Sequence, residues 1–258
     1  MAYILNDSTI FGVWLNPFDV YYLSAAKTVF SNKFLPVRWA KSKRLVGPRF
    51  IQEAANGHLG ALKYLHEKGI LWNDRVCEEA ASSGHLDILK YLHENGCRWY
   101  WRTCAAAAAN GHLDCLIYAH EQGCEWNSSI CYRSAFGGHL DCLRYAHENG
   151  CLWNEETCRL AAAKGHLDCL RYAHEHNCSW DDEHTCSGAA FGGYLDCLKY
   201  AHENGCPWDE RTCRYAAASN HLDCLRYAIE EGCPYNKDIC THAKAPEIIQ
   251  YLQSKDIC

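Results

Sequence analysis

The chain has 258 residues, 48% of them hydrophobic, and a formal charge of −6 at pH 7. That apolar content can bury a long core, yet no run of 18 apolar residues is present to cross a membrane. The opening stretch MAYILNDSTIFGVW lacks a basic n-region and carries Asp7, so it reads against a secretory signal and points to a reducing compartment for the 19 cysteines.

Residues 1 to about 45 form a head that follows no repeat. Ile10, Val13 and Trp14 are spaced for one short amphipathic helix, Asn16 and Pro17 make a turn and N-cap, and Asp19 to Phe30 reads as a second helix with Val20, Leu23, Ala26 and Val29 on related faces. Residues 1–49 carry seven Lys or Arg against Asp7 and Asp19, whereas the rest of the chain carries 18 basic and 29 acidic residues. A basic head therefore precedes an acidic body. The run from Trp39 to Arg49 has two readings, a solvated linker or a contact for nucleic acid or a localisation receptor, and the acidic body disfavours extended nucleic-acid contact.

The head resembles an F-box, whose pattern runs from an initial Leu-Pro through an apolar helix to L-D-P-x-D-L and a second apolar helix. The matching positions are Leu5, Ile10, Leu15, Asn16, Pro17, Asp19, Val20, Leu23 and Ser24. Two features depart from it: Asn6 stands where the initial proline belongs, and the segment before Leu15 is about two residues short. The resemblance implies docking of a Skp-type adaptor on Leu15, Pro17, Val20 and Leu23. The alternative is a hydrophobic cap, because the first unit of any array otherwise exposes a seam.

From about residue 46 to residue 258 the sequence repeats. His58, His85, His112, His139 and His166 are 27 residues apart, Tyr194 follows after 28, and His221 after another 27. Tryptophans from Trp72 to Trp208, glycines from Gly69 to Gly205 and alanines from Ala54 to Ala217 keep the same step. Such a period means a solenoid whose units bury their apolar faces only against neighbours. Each unit reads as two helices. In the second, Leu167, Cys169, Leu170, Ala173 and His174 fall within an arc of roughly 160° at 100° per residue, with Asp168, Arg171 and Glu175 opposite and spaced to pair in solvent. Gly150 is placed as a helix C′ residue, and Asn154 and Asp209 as N-caps. In the first helix, Glu155 to Ala163, the small residues Cys158, Ala161 and Ala162 share one face, so neighbouring units approach closely and the tryptophan column caps each seam.

The string running from threonine through AA, GHLD, an apolar helix and a final glycine resembles the ankyrin repeat, with its TPLHxAA, GHLEVVxLLL and GA signature. This unit is about six residues shorter than the usual 33, the loss falls between Gly150 and Thr157, and TC replaces TP. The missing part is the projecting β-hairpin finger. Short units rich in Cys and Trp resemble the ankyrin-like arrays encoded by giant DNA viruses of amoebae. The resemblance implies an all-α ankyrin-like helix-turn-helix solenoid of about seven units and a partial C-terminal cap. It also implies that the first helices line a concave surface that grips protein partners. The residues following each first-helix cysteine differ from unit to unit, by drift or by selection for contact. Tyr132, Arg133, Phe136, Arg159, Phe191, Arg214 and Tyr215 are the candidate contacts, because aromatic residues and arginine dominate interface hot spots.

The cysteines fall into a first-helix column (Cys77 to Cys240), a mid-second-helix column (Cys115 to Cys224) and a turn column (Cys97 to Cys233), with Cys258 left over. They read as small soft hydrophobes filling seams, with disulfides or a metal as alternatives. No pair has the two-to-four residue spacing of usual zinc sites, and no metal or cofactor is expected. The GH histidines are expected to bond backbone at the turn between helices. Histidine in every unit without a serine, a carboxylate pair or a phosphate loop speaks for packing rather than catalysis. The insertion in SWDDEHT should bulge one connector, and Pro246 should begin the last helix. The function this supports is non-catalytic protein binding in the cytoplasm or nucleus, sharpened by the head to an F-box-type substrate receptor of a host ubiquitin ligase. The rival readings are a structural or virion-associated scaffold and a metal- or redox-responsive protein.

Overall fold

The computed structural model describes residues 47–181 and 184–258, which form sixteen helices and no strand. They come in pairs: α1 Gly47–Ala55 with α2 Leu59–Glu67, α3 Asp74–Ser82 with α4 Leu86–Glu94, α5 Trp101–Ala109 with α6 Leu113–Glu121, and α7 Ser129–Gly137 with α8 Leu140–Glu148. The series continues through α9 Glu155–Lys164 with α10 Leu167–Glu175, α11 Thr185–Gly192 with α12 Leu195–Glu203, α13 Glu210–Ala218 with α14 Leu222–Glu230, and α15 Ile239–His242 with α16 Pro246–Ser254. The head helices expected from the sequence, with Leu15, Pro17, Val20 and Leu23, lie outside the described residues.

Both helices of a unit are stopped by the same device. After α3 the chain enters the left-handed region at Gly84, and the His85 N–H reaches back to the Ala80 carbonyl at 2.9 Å. After α4 it does so again at Gly96, with the Cys97 N–H on the Leu92 carbonyl at 2.9 Å and the Gly96 N–H on that of His93 at 2.9 Å. These six-to-one bonds satisfy carbonyls that a helix end leaves orphaned. Gly150 takes its expected place, and where glycine is lost, Asn177 and Asn220 occupy the same conformation at φ of 65° and 64°.

Stacking follows side-chain size. The first helices, α1 through α15, pack on one another as one layer, and the second helices, α4 through α14, form the other. Cys158, Ala161 and Ala162 are all fully buried, as are the matching residues of neighbouring first helices, so backbones there approach closely. The second helix contributes one fully buried leucine per unit, such as Leu143, Leu170 and Leu198, each contributing roughly 2 kcal/mol of apolar burial between the layers. The hydroxyls of Thr157, Thr185 and Thr212 are buried without partners. Val76, Ile130 and Ile239 fill the same column, so the position selects for β-branched shape.

Helix starts are less uniform than the sequence suggests. Asp209 accepts from the Arg211 N–H at 3.0 Å and caps α13, but Asn154 makes no cap bond and its Oδ1 is buried unpaired. Pro246 does open α16. The one-residue insertion between Cys178 and Cys186 leaves the stack intact: α11 stacks on α9, and the contact between His174 and Tyr200 spans 26 residues instead of 25 elsewhere. Cys258, outside the cysteine columns, forms a disulfide with Cys240.

Candidate interaction surface

The surface rests on seams built from one recurring cassette. In the pair α4/α6, Trp99 stacks on His93 of its own unit with ring centroids 3.9 Å apart, and both meet Tyr118 of the next unit edge-on at 6.0 Å. His93 Nδ1 and the Tyr118 hydroxyl are hydrogen bonded at 3.2 Å. The same set recurs at His120/Trp126/Tyr145, His147/Trp153/Tyr172, His174/Trp180/Tyr200 and His202/Trp208/Tyr227. A cation completes all of these sets but that of Tyr145, where Ile117 stands in its place. Lys90, Arg144, Arg171 and Lys199 lie over the tyrosine ring of the following unit at 5.1 to 5.6 Å. Arg171 therefore contributes across the seam, in place of the expected pairing with Asp168 and Glu175 on its own helix. Burial raises the pKa of Tyr118, Tyr145, Tyr172 and Tyr200 above the ordinary phenol value and lowers that of His120 and His147.

The histidines of the GH column also act between units rather than within their own turn. The ring of His85 reaches the carbonyl of Ala55 at 3.0 Å and that of His166 the carbonyl of Phe136 at 3.1 Å, each in the preceding first helix. Each N-caps its second helix by position without a side-chain cap bond. The ring lies against the glycine of the preceding turn: a methyl group on Gly111 would sit 2.5 Å from His139 Nδ1. Partial burial holds the His139 pKa below the ordinary value, with His166 and His112 adding to the effect against the Ala109 carbonyl.

On that frame the seven candidate residues occupy the solvent side of the first helices, six of them in two clusters. Tyr132, Arg133 and Phe136 stand together on α7, with the Arg133 guanidinium 5.8 Å from the Tyr132 ring centre. Phe136 is 47% exposed and the Lys164 ammonium of the next unit lies 4.7 Å over its ring. In the second cluster Phe191 of α11, 60% exposed, meets Tyr215 of α13 edge-on at 6.0 Å, and Arg214 lies 5.3 Å from that ring. Arg159 sits between the clusters on α9, tied by Glu156 at 3.1 Å and Asp181 at 3.5 Å. Phe136 and Phe191 occupy the same column two units apart, with Ala163 between them, so the face presents two aromatic rims around a small residue. Sequence reasoning passed over Lys164, although 28 residues after Phe136 is the spacing that puts a side chain beside it on the neighbouring helix.

The arrangement offers a surface for recognition. Among the described residues no three His, Cys, Asp or Glu side chains converge to hold a metal ion. No helix there is long and apolar enough to cross a membrane. Exposed aromatics flanked by cations, on helices whose backs are locked in the stack, are suited to desolvating against another protein.

Comparison with known proteins agrees with the repeat. Residues 52–93 match the family described as ankyrin repeats (many copies). No curated protein matches the chain. A solved structure titled as the human ASB11 ankyrin repeat domain is similar at 20% sequence identity and a TM-score of 0.47, covering 80% of this chain and 96% of that one. The described residues form an all-helical solenoid of short helix pairs, similar to ankyrin repeats over residues 52–93.

Proposed function

We propose that this chain is a non-catalytic protein-binding scaffold that grips its partner with the solvent face of α7, α9, α11 and α13. One observation carries the reading: Phe136 and Phe191 are exposed on a layer where Phe50, Val76, Ile130 and Ile239 are buried, and cations stand beside the aromatic rings. The ankyrin match supports it, since repeats of that kind are interaction modules. The test is affinity capture from extract with the intact chain and with a Phe136→Ala, Phe191→Ala double variant, followed by titration of each captured protein. Because both rings are largely exposed, the variant should keep its stability within about 0.5 kcal/mol while partner affinity falls at least tenfold. Unchanged affinity for every partner would move the binding site off this face.

The finer reading assigns the head. Residues 1–45 dock a Skp-type adaptor through Leu15, Pro17, Val20 and Leu23, and the array, residues 46–258, recruits a target for a host ubiquitin ligase. The string LNPFDV supports this. Capture of adaptor and cullin by the intact chain, lost in a Leu15→Ala, Val20→Ala variant, is the expected result. Identical partners with and without residues 1–45 would leave a scaffold whose head closes the first seam, and stoichiometric presence in purified virus particles would make that scaffold structural.

A further inference from the structure

Two of the three cysteine columns meet inside six of the units. Cys77 of α3 and Cys97 after α4 have their sulfurs 2.9 Å apart. In the following units the Cys131, Cys158 and Cys186 thiols reach the backbone carbonyls of Cys151, Cys178 and Cys206 at 3.7 to 3.9 Å, and Cys104 with Cys124 and Cys213 with Cys233 hold the equivalent positions. The turn thiols of Cys124, Cys151 and Cys178 in addition donate to the carbonyls of Tyr100, Asn127 and Asn154, just ahead of their unit's first helix, at 3.2 Å. The mid-second-helix cysteines, Cys115, Cys142, Cys169, Cys197 and Cys224, are equally buried but have no thiol partner among these pairs.

The last unit carries a bridge between the first-helix place and the residue just after the turn place. Cys240 continues the first-helix column, and Ile257 takes the turn position, its N–H on the Leu252 carbonyl at 3.0 Å just as Cys97 bonds Leu92. The following residue, Cys258, closes the disulfide, with Cα atoms 5.8 Å apart. First helix and turn are therefore within bridging distance in this fold.

We propose that the six thiol pairs are sites of reversible oxidation, each closing a disulfide within its own unit by exchange with a small-molecule disulfide. The turn thiol loses its proton and attacks one sulfur of the small disulfide, releasing one small thiol and leaving a mixed disulfide on the protein. The first-helix thiol then loses its proton, attacks the turn sulfur and expels the second small thiol. Two protein S–H bonds are lost and one S–S bond forms, while the two electrons and two protons leave with the reduced reagent. The turn cysteine is the attacking group because it lies at the edge of the core, 3% exposed at Cys124 and Cys151 against 0% for Cys104 and Cys131. A donated S–H from the first-helix partner lowers the pKa of these turn thiols and raises its own, which sets the same order. Each closed bond would tie the helix that carries the binding face to the base of its unit. The inference stands apart from the binding role and does not depend on it.

The experiment exposes the native full-length chain to glutathione buffers of increasing glutathione disulfide content, quenches in acid, counts thiols after denaturation and maps linkages by mass spectrometry of unreduced peptides. Thiols should disappear two per unit, with links such as Cys104 to Cys124 and Cys158 to Cys178, while the five mid-helix cysteines stay reduced, and dithiothreitol should restore the count. A Cys104→Ala variant should leave Cys124 as a glutathione adduct and keep the other links. Equal loss of mid-helix and paired thiols, adducts alone in the unaltered chain, links between units, or no loss would each overturn the proposal.

Discussion

At the scale of the residue, glycine is asked for two different things in two columns. Gly111 and Gly123 share a left-handed backbone, with φ of 77° and 79°. Only Gly111 lies under a histidine ring, and nothing comes within 4 Å of a methyl group placed on Gly123. Gly123→Ala should therefore cost only the left-handed penalty, about 1 kcal/mol, whereas Gly111→Ala must also displace His139 from the Ala109 carbonyl and should cost roughly 2–3 kcal/mol. Urea denaturation of the two variants side by side measures the difference, and equal losses would mean that the His139 ring is free to move. The sequence displayed both columns as glycine and gave no sign of this inequality, because the contact is made across 28 residues.

At the scale of the element, each seam is only as complete as the second helix that supplies it. Helix α14 carries Ile229 where its predecessors carry histidine, and Tyr235 stands where they have tryptophan. The consequence is visible in the neighbouring α16, where the Tyr251 hydroxyl is buried without a partner. In the other units that hydroxyl bonds a histidine Nδ1, for example Tyr227 to His202 at 2.9 Å. Ile229→His should restore the bond and raise stability by about 1 kcal/mol, read as delayed unfolding of the C-terminal unit in hydrogen exchange. Faster exchange in α16 would show that the apolar contact of Ile229 outweighs the missing bond. The period made the substitution legible in the sequence. The stranded hydroxyl was not, since it follows from the pairing of two helices.

At the scale of the whole molecule, three histidines in the middle of the array make it sensitive to acid. His120, His139 and His147 are held below the ordinary imidazole value of 6.5, chiefly by burial; Glu121 and Glu148 oppose this at His120 and His147 without reversing it. The folded chain then binds fewer protons than the unfolded chain as pH falls through that value. Its stability is fully present above the unfolded pKa and is lost progressively below it. The urea midpoint should be flat from about pH 8 to 6.5 and decline toward about pH 5. A midpoint that rises on acidification would mean that the histidines gain partners for their charged form.

The sequence alone determined the period, the helix pairs, the Gly and Pro signals at their ends and the solvent side of the first helices, because each depends on spacing along a single helix or turn. The place of Tyr132, Arg133, Phe136, Arg159, Phe191, Arg214 and Tyr215 on the first helices follows from the same spacing. What only the tertiary structure decided is which side chain meets which in the next unit: that the tryptophan needs both a histidine and a tyrosine, that Arg171 reaches forward to Tyr200, that the GH histidine reaches back, that Lys164 covers Phe136, and that two cysteine columns meet while the third does not. A column shows that a position recurs, but its partner is fixed by the rise and rotation between units, and those are set by how closely alanine and cysteine let the first helices approach.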